Sequence, residues 1–492
     1  MSPSQFLAVH NGQAVPVADC PLLPIDRFRQ SLIDHIKAGG RLAAFFVRPA
    51  SDGSLRLVAV TAHDGDGTLA LASAPVSDAF PSLTPDCPQA HWFERDIFER
   101  WNVRPMGHPW LKPIRFLAPQ TCGATDFFSM TGEEVHEVAV GPVHAGIIEP
   151  GHFRFQCHGE TVYHLEISLG YQHRGVERAM VGGPSRRTIH YMETLAGDTT
   201  IGHAMSHCRA VESLGKTRVS ARAQVIRGIA LELERVANHI GDLGALAGDV
   251  GFLPTMSYCG RIRGDVLNMT ALLCGNRFGR GLLRPGGVAF DLDDRLVAEM
   301  LQRLDQAAAD ARSAVELLWD SPSVMARFDG VGTIESELCR QIGMVGVAAR
   351  ASGLPRDVRR DFPYGIYRFT HVPVSTWNTG DVFARAYVRW LEVQRSLAFV
   401  REQLDSLPEG QVLAVPGPPA AETLVAALVE GWRGEICHVA VTDAQGRFAA
   451  YKVVDPSLHN WFGLAMTMRN QQISDFPLCN KSFSLSYCGH DL

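Results

Sequence analysis

The sequence predicts an α+β protein, with an α/β unit over residues 1–118, a linker over 119–130 and a mostly helical unit with small β-ribbons over 131–492. Short apolar runs split by a turn signal mark the first part. Apolar residues at helical spacing mark the last, and Pro119, Gly123 and Thr125 break any period between them. Taken in order, Phe28, Leu32, Ile33 and Ile36 predict a helix over 24–37 that Gly39 and Gly40 stop. Residues 42–47 and 55–60 are apolar, partly alternating, and flank Ser51-Asp-Gly-Ser54, the pattern of a hairpin. Three long helices are expected over 225–246, 292–320 and 380–404, packed as a central bundle.

A chain of 492 residues, 46% hydrophobic and 20% charged, can bury a large core. Its net charge of -6 argues against a nucleic-acid partner, which would need clustered Lys and Arg. The 11 cysteines include no C-x-x-C pair, which fits free thiols in a reducing compartment. The start of the chain has no basic region followed by an apolar run, and no segment approaches the ~18 apolar residues of a membrane span. If the protein works at a membrane, other subunits must hold it there.

Several motifs carry a resemblance. Gly141-Pro-Val-His-Ala-Gly-Ile-Ile-Glu-Pro-Gly-His-Phe-Arg-Phe155 and Leu169-Gly-Tyr-Gln-His-Arg-Gly-Val-Glu177 resemble the large subunit of energy-converting [NiFe] hydrogenases such as formate hydrogenlyase and hydrogenase-4. They equally resemble the related 49 kDa quinone-site subunit of respiratory complex I. Residues 91–111, ending in Gly107-His108-Pro109, resemble the 30 kDa subunit of complex I, where this segment is an assembly surface; by composition alone it also fits a solvated helix and loop. Phe278-Gly-Arg-Gly-Leu-Leu-Arg-Pro-Gly-Gly287, Gly431-Trp-Arg-Gly-Glu-Ile-Cys-His438 and Asp455-Pro-Ser-Leu-His-Asn-Trp461 continue the likeness in matching order. No Gly-Lys-Ser/Thr follows the glycines near 280, so they are not a phosphate loop.

In the hydrogenases one metal block reads Glu-Arg-Val-Cys-Gly-Ile-Cys, with a His four residues on. Here it reads Glu193-Thr-Leu-Ala196-Gly197-Asp198-Thr199, with His203 on register. The closing Asp-Pro-Cys-x-x-Cys becomes Asp475-Phe-Pro477-Leu-Cys479-Asn480. The family's four ligand positions are thus held by Ala196, Thr199, Pro477 and Asn480, while Cys479 is one residue off and Cys488 nine further on. A soft metal wants several convergent thiolates, so the resemblance implies a retained frame around a lost metal site, with no metal ligands in the chain. Residues 484–492, which maturation would remove after nickel insertion, are expected to stay attached.

The resemblance also supplies candidate site residues. Glu149 stands where the family has a proton-gating glutamate. Buried between apolar residues and a turn, it would hold its proton to higher pH, or it would pair structurally with Arg174. His152 completes a Glu-x-Gly-His pattern with it. His144 opens the loop that lines the quinone cavity in the 49 kDa subunit, and with His203 it is the candidate for a quinone pocket. The relative's second loop His has no counterpart, since Ile147 and Ile148 fill that region, and its quinone-binding Tyr falls at Gly197. Arg433 matches the Arg of the family's Ala-Pro-Arg-Gly motif and, without a metal, needs Asp198 or Asp475 as partner.

The resemblance implies a peripheral large subunit of a membrane-bound oxidoreductase, cytoplasmic on the inner face of the cell membrane, transferring electrons coupled to proton movement, with a quinone-type acceptor in view. The chain carries no iron-sulfur ligands, flavin motif or dinucleotide fingerprint, so electrons would come from an iron-sulfur small subunit, and antiporter-like membrane subunits would complete the complex. Two readings compete with this one. The first is a non-catalytic scaffold with a degenerate cavity; the second is a true nickel hydrogenase, which the four substituted positions oppose.

Overall fold

The structure, a computed structural model, describes residues 5–144 and 148–492. Ile147, weighed above as filling the quinone loop, and the first four residues lie outside that description.

The hairpin forms as expected: Arg41–Pro49 pairs antiparallel with Leu55–His63, which pairs with Thr68–Val76. Leu7–Val9 adds on the far side. Aspartates set both turns, because Asp52 accepts from Ser54 N and Asp66 from Thr68 N. The strands are rich in Ala and Val and bury residues on both faces, one of them under the helix Ile25–Lys37 through Phe28, Leu32 and Ile33. A second helix, His91–Trp101, packs against the Arg41–Pro49 strand and stops at Asn102, whose φ of 55° reverses the chain.

That second helix corrects the reading of a solvated helix. Trp92, Phe93, Asp96 and Ile97 are buried within this chain. Asp96 accepts from Lys452 at 2.6 Å and pairs with Arg115, while the Trp92 ring meets His490 edge-on at 5.1 Å. His108 is enclosed as well: its Nε2 donates to His91 O at 3.3 Å, and burial lowers its pKa to about 4.

The three expected helices appear as Ala221–Asp249, Asp294–Trp319 and Val382–Asp405, joined by Leu253–Cys274, and the four pack together. Ser220, Asp293 and Asp381 cap three of them by accepting the backbone N–H three residues on. Leu253–Cys274 escapes the apolar periodicity because Gly260, Arg261, Arg263 and Gly264 interrupt it. Val135–Val140, His152–His158 and Thr161–Ser168 form a small antiparallel sheet.

The last sheet is larger than a ribbon. Thr423–Glu430, Glu435–Thr442 and Phe448–Val454 pair antiparallel, with the first two strands buried at every position. Its edge is covered by Ala14–Pro16, from the opposite end of the sequence. Arg41 binds both carboxylate oxygens of Glu435 and, at 2.9 Å, Asp64. Residues 484–492 are tucked into the same junction: Arg115 donates to Asp491 O at 2.8 Å, and the Asp491 carboxylate accepts from Gly170 N and Gln172 N. Among the described residues, no helix is long and apolar enough to cross a membrane.

Candidate functional site

The tight turn at 431–434, between two strands of the last sheet, aims Arg433 at the segment 196–199. Only glycine fits at 434, where φ is 142° and a Cβ would lie 2.7 Å from Gly346 Cα. The Arg433 guanidinium lies on the Trp432 ring at 3.9 Å and grips Asp198 with two bonds of 2.6 and 2.7 Å. It also donates to Thr199 Oγ1 at 3.1 Å and to Ser484 O. The Arg433 side chain is 6% exposed and Asp198 35%, so the carboxylate is the outward end of the pair. Burial raises the Asp198 pKa, but the guanidinium outweighs it and holds the group below the usual carboxylate range.

Four more groups lie around the pair. Asp242 accepts from Arg389 Nε at 2.8 Å and from Ser484 Oγ at 2.9 Å. Glu234 caps the start of the helix Thr200–Leu214, accepting from Ile201 N at 2.7 Å and Gly202 N at 3.1 Å. Burial nevertheless pushes the Glu234 carboxyl up to about 8, and the nearby Asp198 charge adds to that. Opposite, Cys488 lies near Glu149 and the Gly197 backbone, with its Sγ 3.4 Å from Ser486 Oγ; burial first and the Glu149 charge second push its pKa up to about 12, so it is a thiol and not a thiolate. Glu149 also accepts from Tyr487 N at 3.2 Å, and Asn480 Nδ2 donates to Tyr487 Oη at 3.3 Å.

Several expectations change here. Glu149 is half-buried and not enclosed, and its supposed partner Arg174 donates instead to Thr194 O and Leu195 O, at 2.8 and 2.6 Å. Asp475 pairs with Arg327 at 3.1 Å, leaving Asp198 as the partner of Arg433. His144 Nε2 donates to Gly151 O at 3.0 Å. His152 does not join Glu149: strand alternation turns it away from Phe153, which packs toward Tyr487, and sets it against Phe127 at 5.0 Å. Its Nε2 has no hydrogen-bond partner among the described residues, and burial lowers its pKa.

His203 faces a buried chain of polar groups instead of the Glu149–Cys488 side of the pair, the mouth of the site. Its Nε2 is 3.0 Å from Asp455 and its Nδ1 3.1 Å from His438 Nε2. Cys488, Glu234, Asp242, Asp455, His438 and Tyr451 were not among the sequence candidates. Glu234 and Asp242 stand in a run that reads as helix with charges between apolar positions, and nothing in its spacing marks those charges as buried.

Comparison with known proteins places the chain. The family model described as respiratory-chain NADH dehydrogenase, 49 Kd subunit, matches residues 249–423, and that of the 30 Kd subunit matches residues 56–125. The carbon monoxide-induced hydrogenase of Rhodospirillum rubrum is 32% identical over 344 residues, 70% of this chain and 95% of that protein. The chain belongs to this family. Formate hydrogenlyase subunit 5 of Escherichia coli is 28% identical over 92% of the chain and 82% of the relative. An NADH-quinone oxidoreductase subunit of Dehalococcoides mccartyi is 30% identical over 68% of the chain and 92% of the relative. The protein is thus a large subunit of the hydrogenase and complex I-like oxidoreductase class, whose complexes couple electron transfer to proton movement.

The four positions that the resemblance assigned to nickel ligands have other contacts here. Ala196 is a buried apolar residue, and Thr199 Oγ1 is shared among Asp198, Trp432 and Arg433. Pro477 is exposed, while Asn480 holds Tyr487. The displaced Cys479 lies against Gly332 and Arg385, and burial pushes its thiol up to about 11. Among the described residues, no group of three or more His, Cys, Asp or Glu side chains is arranged to hold a metal ion.

Proposed function

We propose that this chain is the peripheral large subunit of a membrane-bound oxidoreductase that works without nickel and passes electrons to a quinone-type acceptor. The observation that carries the reading is the Asp198–Arg433 pair, which occupies the segment of the first cysteine block and draws in the Thr199 hydroxyl. The donor set does not fit nickel, since the one thiol at the mouth, Cys488, is held protonated. What the mouth offers is polar and protonic: the outward Asp198 carboxylate, half-buried Glu149, a thiol, and the protonated Glu234 behind them. Val143 and Ile148, 78% and 49% exposed, put apolar surface next to His144 and Glu149 in the sequence, which suits a lipid-soluble acceptor.

Electrons would arrive from an iron-sulfur small subunit, and antiporter-like subunits would hold the protein to the inner face of the cell membrane. One observation favours the rival reading of a non-catalytic scaffold: the His144 Nε2 proton is spent on Gly151, and His203 faces inward, so neither offers a donor to the mouth. The deciding measurement is nickel and iron per chain in the complex purified from its native membrane. Nickel well below one per chain, together with quinone reduction that falls in an Asp198→Asn variant, is expected. Stoichiometric nickel would overturn the reading, and quinone reduction unaffected by that variant would favour the scaffold.

A further inference from the structure

Behind the Asp198–Arg433 pair runs an unbroken file of buried polar side chains. Asp455 Oδ2 is 3.0 Å from His203 Nε2; His203 Nδ1 is 3.1 Å from His438 Nε2; His438 Nδ1 is 2.9 Å from Tyr451 Oη. Tyr451 Oη is 2.9 Å from His207 Nδ1, and His207 Nε2 is 3.3 Å from Thr188 Oγ1. Thr188 Oγ1 donates to Ser185 O at 2.8 Å. At the inner end Asp455 feels the charge of Arg433 and acts on Asp198. At the outer end, Thr188, Ser185 and His207 line a surface groove with Pro184, His190 and Arg284. The file therefore runs from Asp455, within electrostatic reach of the site, to the groove.

Its hydrogen-bond sense can be deduced. The carbonyl of Ser185 can only accept, so the Thr188 hydroxyl donates to it and must accept from His207 Nε2–H. His207 Nδ1 is then bare and accepts the Tyr451 proton, Tyr451 Oη accepts from His438 Nδ1–H, and bare His438 Nε2 accepts from His203 Nδ1–H. Every hydrogen points outward. The last link, from His203 Nε2 to a carboxylate oxygen, then needs one proton more than neutral side chains supply. Burial raises the Asp455 pKa, but its bond to His203 and the Arg433 charge outweigh that and hold it below the usual carboxylate range, and the extra proton lies in the His203–Asp455 bond.

We propose that Asp455, His203, His438, Tyr451 and His207 form a one-proton wire between the Asp455 carboxylate, within electrostatic reach of the Asp198–Arg433 site, and the groove at Thr188. In the step, His203 Nδ1–H passes to His438 Nε2, His438 Nδ1–H to Tyr451 Oη, Tyr451 Oη–H to His207 Nδ1, and His207 Nε2–H to water in the groove. His203 is left with its Nε2 proton on the Asp455 carboxylate, His438 carries Nε2–H, His207 carries Nδ1–H, and Tyr451 has regained its proton. One proton has moved from inside to outside, with no bond left unbalanced. The Thr188 hydroxyl then turns from Ser185 O to His207 Nε2, and the whole file points inward. The other titratable groups facing it are few. His459 lies beside Asp455, and burial lowers its pKa to about 3. Cys208 and Cys437 lie beside Tyr451, and burial raises both thiols, Cys208 to about 12, so none of the three competes for the proton.

The wire rests on the proposed function only for the chemistry it serves, and its test is independent of any electron acceptor. In the full chain labelled with [15N]histidine, nitrogen chemical shifts report which ring atom carries each proton. The expected result is a joint switch: as the His203–Asp455 bond gives up its extra proton with rising pH, His438 moves from Nδ1–H to Nε2–H and His207 from Nε2–H to Nδ1–H, with one midpoint. Tyr451→Phe, which removes the central hydroxyl and keeps the ring, is expected to abolish the His207 switch while His203 still titrates. His203→Asn, which removes the titrating end, is expected to abolish both switches, and it serves if the first variant does not fold. Unlinked changes in the wild-type chain, no change in any of the three between pH 5 and 10, or a His207 switch that survives either variant would overturn the proposal.

Discussion

Replacing Glu234 by glutamine removes a proton stored behind the Asp198–Arg433 pair. The carboxyl titrates at about 8 in the folded protein, against 4.5 for an unhindered side chain. At roughly 1.4 kcal/mol for each pH unit, that gap of about 3.5 amounts to about 5 kcal/mol. Because the folded value is the higher one, the contribution is present in full below about pH 4.5 and is lost as the pH rises through 8. By pH 7 about 3.5 kcal/mol of it is already gone, although about nine-tenths of the folded molecules still hold the proton. Glutamine cannot ionise in either state. Urea unfolding at pH 5, 7 and 9 should therefore show the wild-type chain losing stability relative to Glu234→Gln, by about 3–5 kcal/mol across that range. Infrared spectra at pH 7 should show a protonated-carboxyl band that the variant lacks. Parallel stability curves, or identical carboxyl bands, would refute the reasoning.

Two further outcomes are expected. Lys452→Met leaves Asp96 and Glu177 without the ammonium that lies 2.6 and 3.3 Å away; Arg115 and Arg100 still face Asp96, so the loss should fall near the low end for a broken buried pair, about 3 kcal/mol, read as a lowered thermal midpoint. Gly151→Ala puts a methyl 2.4 Å from Tyr487 Cε1 and 2.8 Å from Cδ1, so a loss of about 1–3 kcal/mol should come with faster proteolytic clipping within 484–492.

The order of elements was legible because it rests on local chemistry. Phe28, Leu32 and Ile33 repeat at helical spacing, aspartates mark the hairpin turns, and three of the four long helices show an apolar stripe or a capping residue. The fourth, Leu253–Cys274, carries charges and glycines across the turns that would have betrayed it. At the site, the motif register led to Asp198, Arg433 and Glu149, because these stand at fixed offsets from recognisable glycines. It could not find Cys488, which comes to Glu149 through the packing of the Tyr487–Asp491 helix, 339 positions along the chain from it. Nor could it show that His203 faces Asp455 and His438, groups 252 and 235 positions away that only the last sheet and its following helix bring near. The helix His91–Trp101 misled for a related reason: its charged residues look solvated until Lys452 and Arg115, from elsewhere in the chain, neutralise Asp96.

The strand Ala14–Pro16 lies on the edge of a sheet built from residues past 420, while Arg41 and Asp96 reach across to Glu435 and Lys452. Cut within 119–130, the chain would therefore yield two polypeptides that need each other: one would lend a strand to the other's sheet, and each would bury charges that only its companion neutralises. The covalent link between the 30 kDa-like and 49 kDa-like portions fixes their stoichiometry at one to one and lets the borrowed strand find its edge without a diffusional search.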